Sequence, residues 1–239
     1  MGNFQNTEVT WLGHSTFQFK SPGGKVVLID PWLNENPSAQ ISAEDIDHVD
    51  IIALTHGHFD HFGDTVSIAK RTGATVVSIF EISQYLGRQG IAEDQIIGMN
   101  IGGTVDVDGI KFTMVRAVHS SGVSGEESIV DGGDPAGFVI TFENGFTVYH
   151  TGDTDLFGDM KYVGELHEPD LMLTCIGDHF TMGPKAAAKS VELVKPQHVI
   201  PMHYGTFPLL TGTPEELVNN LSGTLKDAVI TAEIGTPLN

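Results

Sequence analysis

The sequence predicts an α/β chain built as a four-layer αββα sandwich, two mixed β-sheets packed face to face with helices outside. Three observations carry this expectation. Short β-rich runs joined by tight Gly-containing turns occur near the start and again in the middle, which indicates antiparallel pairing. Continuous apolar runs alternate with helical stretches in the remaining regions, as buried strands with crossover helices do. The order along the chain is hairpins, βαβα, hairpins, then αβαβα, with no linker, repeat array or low-complexity segment between them. The 239 residues are read as one domain, long enough to bury roughly 72% of the surface exposed by the unfolded chain.

Each element has its own warrant. Residues 8–12 (EVTWL), 15–19 (STFQF) and 26–30 (VVLID) are strands, the last two separated by Ser-Pro-Gly-Gly-Lys. Residues 31–49 are polar and loop-like apart from a short helical stretch, Ala-Glu-Asp-Ile-Asp. The run 50–55 (DIIALT) has a continuous apolar centre, 51–54 (IIAL), as a fully buried strand shows, and leads directly into His-Gly-His-Phe-Asp-His. Residues 64–72 are helical with Gly73 as cap, 75–79 (TVVSI) form the next strand, and 81–89 form a helix ending at Gly90. Asp108-Gly109 and Asn144-Gly145 each turn a hairpin between β-rich runs. Between those hairpins lies a Gly- and Ser-rich stretch, 120–133, either a substrate-contacting loop or a plain surface loop. Residues 158–167 read as helix, 170–176 (DLMLTCI) as strand, and Pro184 opens a helix at the position where its missing N–H costs nothing. A short strand runs into Met202-His203-Tyr204, and Thr213-Pro214-Glu215-Glu216 opens a last helix with a capping threonine.

The strongest chemical feature is His56-Gly57-His58-Phe59-Asp60-His61, three His and one Asp within six residues. His56 and His58 are two apart on extended chain and point the same way. Asp60 and His61 follow as the chain turns into a helix, so one loop presents ligands in two directions. That suits two adjacent metal ions, and imidazoles with a few carboxylates favour Zn, with Mn or Fe as alternatives, over Ca or Mg. His119, Asp153 and His203 each stand just past the end of a strand, a usual place for ligands. His14 and His179 lie in loops of the same kind and are candidates for contacts behind the ligands or with substrate. His150 is placed to hydrogen-bond beside Asp153, and His48, His167 and His198 belong to the surface.

Composition bounds the partners. Asp and Glu number 31 against 12 Lys and Arg, a formal charge of −19. Long nucleic acids and anionic membranes are held by basic residues, which are scarce here. The single cysteine, Cys175, cannot form an intramolecular disulfide, and the N-terminus shows neither a secretory leader nor a myristoylation pattern. No apolar run approaches the ~18 residues of a membrane span. These features predict a cytoplasmic protein.

With these residues on the page, the chain resembles the metallo-β-lactamase superfamily. The match is carried by His56-x-His58-x-Asp60-His61, His119, Thr151-Gly152-Asp153 and Pro201-Met202-His203-Tyr204. It is similar in particular to the metal-dependent hydrolase branch related to ascorbate-phosphate lactonase. There Trp11-Leu12-Gly13-His14-Ser15, Pro135-Ala136-Gly137-Phe138, Gly152-Asp153-Thr154, Phe180-Thr181-Met182-Gly183-Pro184 and Met202-His203-Tyr204-Gly205-Thr206-Phe207 have counterparts. The resemblance implies an αββα sandwich with a binuclear site at one edge. One metal would be held by His56, His58 and His119, the second by Asp60, His61 and His203, with Asp153 bridging. It also implies frequent self-association into homo-oligomers. A Cys ligand is absent, which argues against β-lactam hydrolysis.

A pair of such ions shares a water that ionises near neutral pH and attacks a carbonyl or phosphoryl centre. Asp60 would ligate and orient that nucleophile, and His179, with His14 behind it, is the candidate to protonate the leaving group. The expected activity is hydrolysis of an ester, lactone or phosphoester bond in a small molecule. The alternative is a phosphodiesterase or nuclease acting on nucleotide substrates.

Overall fold

A computed structural model describes residues 4–125 and 127–239. The first three residues of the chain's start, read above as free of a leader, and residue 126 of the 120–133 stretch lie outside the described residues.

The first sheet contains β1 (Glu8–Gly13), β2 (Thr16–Lys20), β3 (Val26–Ile29), β4 (Ile51–Ala53), β5 (Thr75–Ile79) and β6 (Ile96–Met99), ordered as in the sequence. Its first three strands pair antiparallel and the rest parallel. The change follows from the connections: tight turns join β1–β3, whereas crossovers through α1 (Phe59–Phe62), α2 (Thr65–Thr72) and α3 (Phe80–Arg88) join the later strands. The second sheet begins with β7 (Thr104–Val107) and β8 (Ile110–Arg116), joined through Asp108-Gly109. A short separate hairpin follows, β9 (Gly122–Ser124) and β10 (Ile129–Asp131). Then come β11 (Ala136–Thr141), β12 (Thr147–His150), β13 (Leu171–Cys175) and β14 (His198–Met202). The order across this sheet is β14-β13-β12-β11-β8-β7, antiparallel from β7 to β12 and parallel beyond. The parallel part carries α4 (Met160–His167) and α5 (Pro184–Val194), and α6 (Pro214–Asn220) follows.

These are the two mixed sheets and flanking helices that the sequence predicts. Most boundaries agree within two residues. The structure adds β6 and turns the 120–133 stretch partly into the β9–β10 hairpin, neither of which the sequence reading contains. Both are short and Gly-punctuated, with little alternation to mark them.

The buried apolar side chains of both sheets form one continuous cluster. Phe17 and Phe19 of the first sheet and Phe112, Phe138, Phe142 and Phe146 of the second are fully buried. Phe19 meets Phe142 at 5.6 Å between ring centroids. This packing fixes the sheets against each other and so aligns the C-terminal ends of β3, β4, β12, β13 and β14 along one edge. Among the described residues, no helix is long and apolar enough to cross a membrane.

Candidate metal centre

The side chains singled out in the sequence meet at that edge. β4 delivers Thr55 and His56, and the chain then turns into α1, carrying His58, Asp60 and His61. Gly57 is required by close packing: a Cβ there would lie 2.6 Å from Val123 Cγ2 of β9 and 3.2 Å from Ser121 O. His119 follows β8, Asp153 follows β12 and His203 follows β14. Gly152, at φ +61°, turns Asp153 inward where a Cβ would lie 2.5 Å from Ala136 O.

Asp153 Oδ2 is the focus. The Nε2 atoms of His203, His61, His119 and His56 lie 3.0, 3.2, 3.7 and 3.9 Å from it. His58 turns the other nitrogen inward, its Nδ1 standing 3.0 Å from His56 Nε2 and 3.2 Å from His119 Nε2. Asp60 Oδ2 lies 3.1 Å from His14 Nε2 and 3.8 Å from His203 Nε2. Donor atoms therefore gather into overlapping groups, each compact enough for one cation: His56, His58 and His119; His56, His61 and Asp153; His14, Asp60, His61 and His203.

A ring of hydrogen bonds behind these groups sets their tautomers. His61 Nδ1–H donates to Asp30 Oδ2 at 2.7 Å, which leaves the Nε2 lone pair facing the cluster. Thr55 donates its hydroxyl to the same Asp30 oxygen at 2.6 Å and stands 3.0 Å from His56 Nδ1. Ser120 Oγ is 3.2 Å from His58 Nε2, and Thr206 Oγ1 is 2.9 Å from His14 Nδ1. The sequence assigns no site role to Asp30, Thr55 or Ser120, and Thr206 enters there only through the motif at 202–207 that carries the family resemblance. Asp30 and Thr55 obey the rule that selected His119, Asp153 and His203, since they end the strand runs VVLID and DIIALT; Ser120 carries no comparable mark.

The electrostatics follow from burial against charge. Burial pulls His61 and His203 down, but Asp153, with Asp30 for His61 and Asp60 for His203, outweighs it. His61 is held well above its ordinary value and His203 is raised to about 9. Burial and the neighbouring His203 lower His14 to about 4, and burial with His61 drives His56 far down. Against their own burial, Asp60 is held well below the carboxylate range by His14 and His203, and Asp153 by His203 and His61. Three buried atoms of the focus, His61 Nε2, His203 Nε2 and Asp153 Oδ1, make no hydrogen bond. Such atoms are costly unless something else satisfies them.

The two remaining candidates part company. His14 is fully buried in the β1–β2 turn, where its carbonyl accepts from Trp11 Nε1 and His203 N. His179 lies on the exposed loop after β13, with its ring 4.4 Å from Phe180 and outside all three donor groups. His150 is buried and hydrogen-bonds Ser15 O and Gly152 N beside Asp153.

Comparison with known proteins extends the picture. Residues 25–204 match the model of a family described as a beta-lactamase superfamily domain. A UPF0173 metal-dependent hydrolase of Rubrobacter xylanophilus is 51% identical, the match covering 88% of this chain and 86% of that one. A metal-dependent hydrolase of the same kind from Methanosarcina mazei is 50% identical over 87% of this chain and 88% of its own. Among solved structures, a metallo hydrolase of the archaeon Ignicoccus hospitalis superposes with a TM-score of 0.86 at 36% identity, covering 97% of both chains.

Proposed function

Because the chain belongs to the beta-lactamase superfamily, among its metal-dependent hydrolases, we propose that it binds two divalent cations and hydrolyses an ester, lactone or phosphoester bond of a small molecule. Zn is the first choice of metal, Mn or Fe the alternatives. His56, His58 and His119 would hold one ion, Asp60, His61 and His203 the other, with Asp153 between them.

The residues fit such ions. The three buried atoms without hydrogen-bond partners all face the focus, and a cation would satisfy them together. The donors are imidazoles, of which His61 and His203 would give up their extra protons to a cation, and carboxylates, a set suited to first-row transition metals and Zn. The single observation that carries the reading is the convergence of four imidazole nitrogens within 3.0–3.9 Å of Asp153 Oδ2.

When bound, the ions would supply Lewis acidity, polarising the scissile bond and acidifying water. The chain's own groups do the rest. His14 is neutral at pH 7; its Nε2–H donates to Asp60 Oδ2, and its Nδ1 accepts from the Thr206 hydroxyl. Its proton is thereby committed to orienting Asp60, so it acts as a positioning residue. Asp60, kept ionised, offers its carboxylate to orient the attacking water. Asp30 holds the His61 ring in one tautomer through Nδ1. Protonation of the leaving group falls to His179 on the exposed loop.

The test joins metal analysis to a substrate panel. Purified protein is expected to hold two equivalents of metal and to turn over at least one of a lactone, a carboxylic ester, a phosphodiester or a phosphomonoester. Asp153→Ala and His61→Ala should each lose metal and nearly all turnover. Full metal content and turnover in both variants would remove the ligand assignment.

A further inference from the structure

The hydrolase reading leaves the substrate class open, and any assignment of that class rests on it. A groove of about 500 Å³ opens beside the donor cluster. Gly57 and Phe59, interleaved with His56, His58 and Asp60 along the chain, form one wall, with Trp32, Phe62 and Val123 around it. Phe59 is 54% exposed. The Trp32 ring lies 5.7 Å from both Phe59 and Phe207 and 5.1 Å from His14. The aromatic surface thus runs from the groove to the residue that orients Asp60. Phe59 is the exposed apolar member of this wall, with Trp32 and Val123 buried behind it at 3% and 2% exposure; an open apolar ring backed by packed side chains is a seat for an apolar ligand group.

The charge around the cluster adds a second, independent observation. The loops at this edge span residues 30–39, 56–64, 117–125, 127–135, 151–159, 176–184 and 203–213. None holds a Lys or Arg, and together they hold eleven Asp and Glu, of which Asp30, Asp60 and Asp153 belong to the donor cluster and the ring behind it and eight do not. Glu35 and Asp64 stand on the groove itself. Phosphate esters keep charge on oxygens beyond the reacting bond, and enzymes meet that charge with Arg, Lys or helix N-termini. These loops offer no such cation, and Glu35 and Asp64 put like charge on the groove.

We propose that the groove seats the apolar acyl or aryl part of an uncharged carboxylic ester or lactone, and that the acidic loops discriminate against phosphate esters. In the reaction, the water oxygen bonds to the acyl carbon and the acyl C–O bond breaks. The departing oxygen takes one proton from the water, and the acid leaves as a carboxylate with release of the other.

The experiment uses the zinc-loaded chain and p-nitrophenyl esters, so that the leaving group is constant. kcat/KM should rise at least tenfold from acetate to hexanoate, and bis-p-nitrophenyl phosphate and p-nitrophenyl phosphate should be at least a hundredfold poorer than hexanoate. Phe59→Ala, at an exposed position that tolerates truncation, should shrink the hexanoate-to-acetate ratio to below threefold. A flat chain-length profile, or a phosphate ester within tenfold of hexanoate, overturns the proposal. If neither these esters nor any lactone or phosphoester of the substrate panel is hydrolysed, the hydrolase reading fails separately, and tryptophan fluorescence decides the groove. Hexanamide should then perturb Trp32 at a tenfold lower concentration than acetamide in the wild type and lose that advantage in Phe59→Ala. Equal responses to the two amides overturn it.

Discussion

Asp30→Asn changes one atom type in a position where three donors converge. Asp30 Oδ1 accepts from Thr55 N at 2.8 Å, and Oδ2 accepts from Thr55 Oγ1 at 2.6 Å and His61 Nδ1 at 2.7 Å. An asparagine must place its NH2 toward one side. Facing the Oδ2 position it would oppose two donors; facing the Oδ1 position it opposes only the Thr55 amide, so the second orientation wins. That orientation leaves the buried Thr55 N–H without its acceptor and sets the new NH2 against it, costing at least about 1–3 kcal/mol. For a chain of this length each kcal/mol is worth about 2–4 °C in Tm, so the metal-free variant should melt about 2–12 °C lower. The bond to His61 survives but loses its charge, roughly halving its strength. Loss of such outer partners costs about 10–100-fold in metal affinity, and the retained geometry places Asp30→Asn near the tenfold end. Chelator competition should show this loss at the position that includes His61 and within about threefold of the wild-type affinity where His56, His58 and His119 bind. Wild-type affinity at both positions, with an unchanged Tm, would refute the role given to Asp30.

Three further outcomes are expected from buried groups. Tyr149 is fully buried and its hydroxyl has no hydrogen-bond partner among the described residues, so Tyr149→Phe should raise stability by about 1 kcal/mol in a denaturant titration; a loss of stability would show that the hydroxyl is satisfied. Burial, with Asp153 nearby, pushes the Cys175 thiol up to about 11, so a thiol reagent at pH 8 should leave the native chain unmodified and react fully once it is unfolded. In the metal-free chain His203 sits at about 9 rather than 6.5 because Asp153 and Asp60 overcome burial. The folded state therefore binds the extra proton, its stabilising contribution is complete below pH 6.5, and it disappears as pH rises through about 9. Melting curves of the metal-free chain should fall across that window, and a flat profile would contradict the ion pairing of His203.

Much of this site is legible in the sequence because its residues are tied to strand ends. A short apolar run such as 51–54, too brief for a buried helix, reads as a buried strand, so the His-rich segment after it has its place at a sheet edge. The same reasoning reaches His119, Asp153 and His203, and it applies equally to Asp30 at the end of VVLID. What stays hidden depends on long-range contact. The His14–Asp60 contact joins residues 46 apart, and Thr206 meets His14 across 192; neither separation leaves a periodic trace. In the fold, β9 and β10 follow Gly- and Ser-rich sequence, where no alternation marks a buried face, and they exist because Val123 packs against Gly57. Tertiary packing, not local propensity, creates that hairpin.

The pairing of charges at the focus gives the site its logic. Without a cation, a buried carboxylate faced by four imidazoles is tolerable only if some of those rings carry protons, which is why His61 and His203 are raised while His56 is driven down. Protonated rings and metal ions are therefore alternatives for the same negative charge. Asp30 sharpens the competition: by accepting from His61 Nδ1 it leaves Nε2 as the only position where a second proton or a cation can sit. The overall charge of −19 points outward from this arrangement. Asp30 and Asp153, which hold imidazoles, are buried, whereas Glu35 and Asp64 line the groove beside them. The same abundance of carboxylate thus does two separate things, preparing the interior for cations and screening what approaches it.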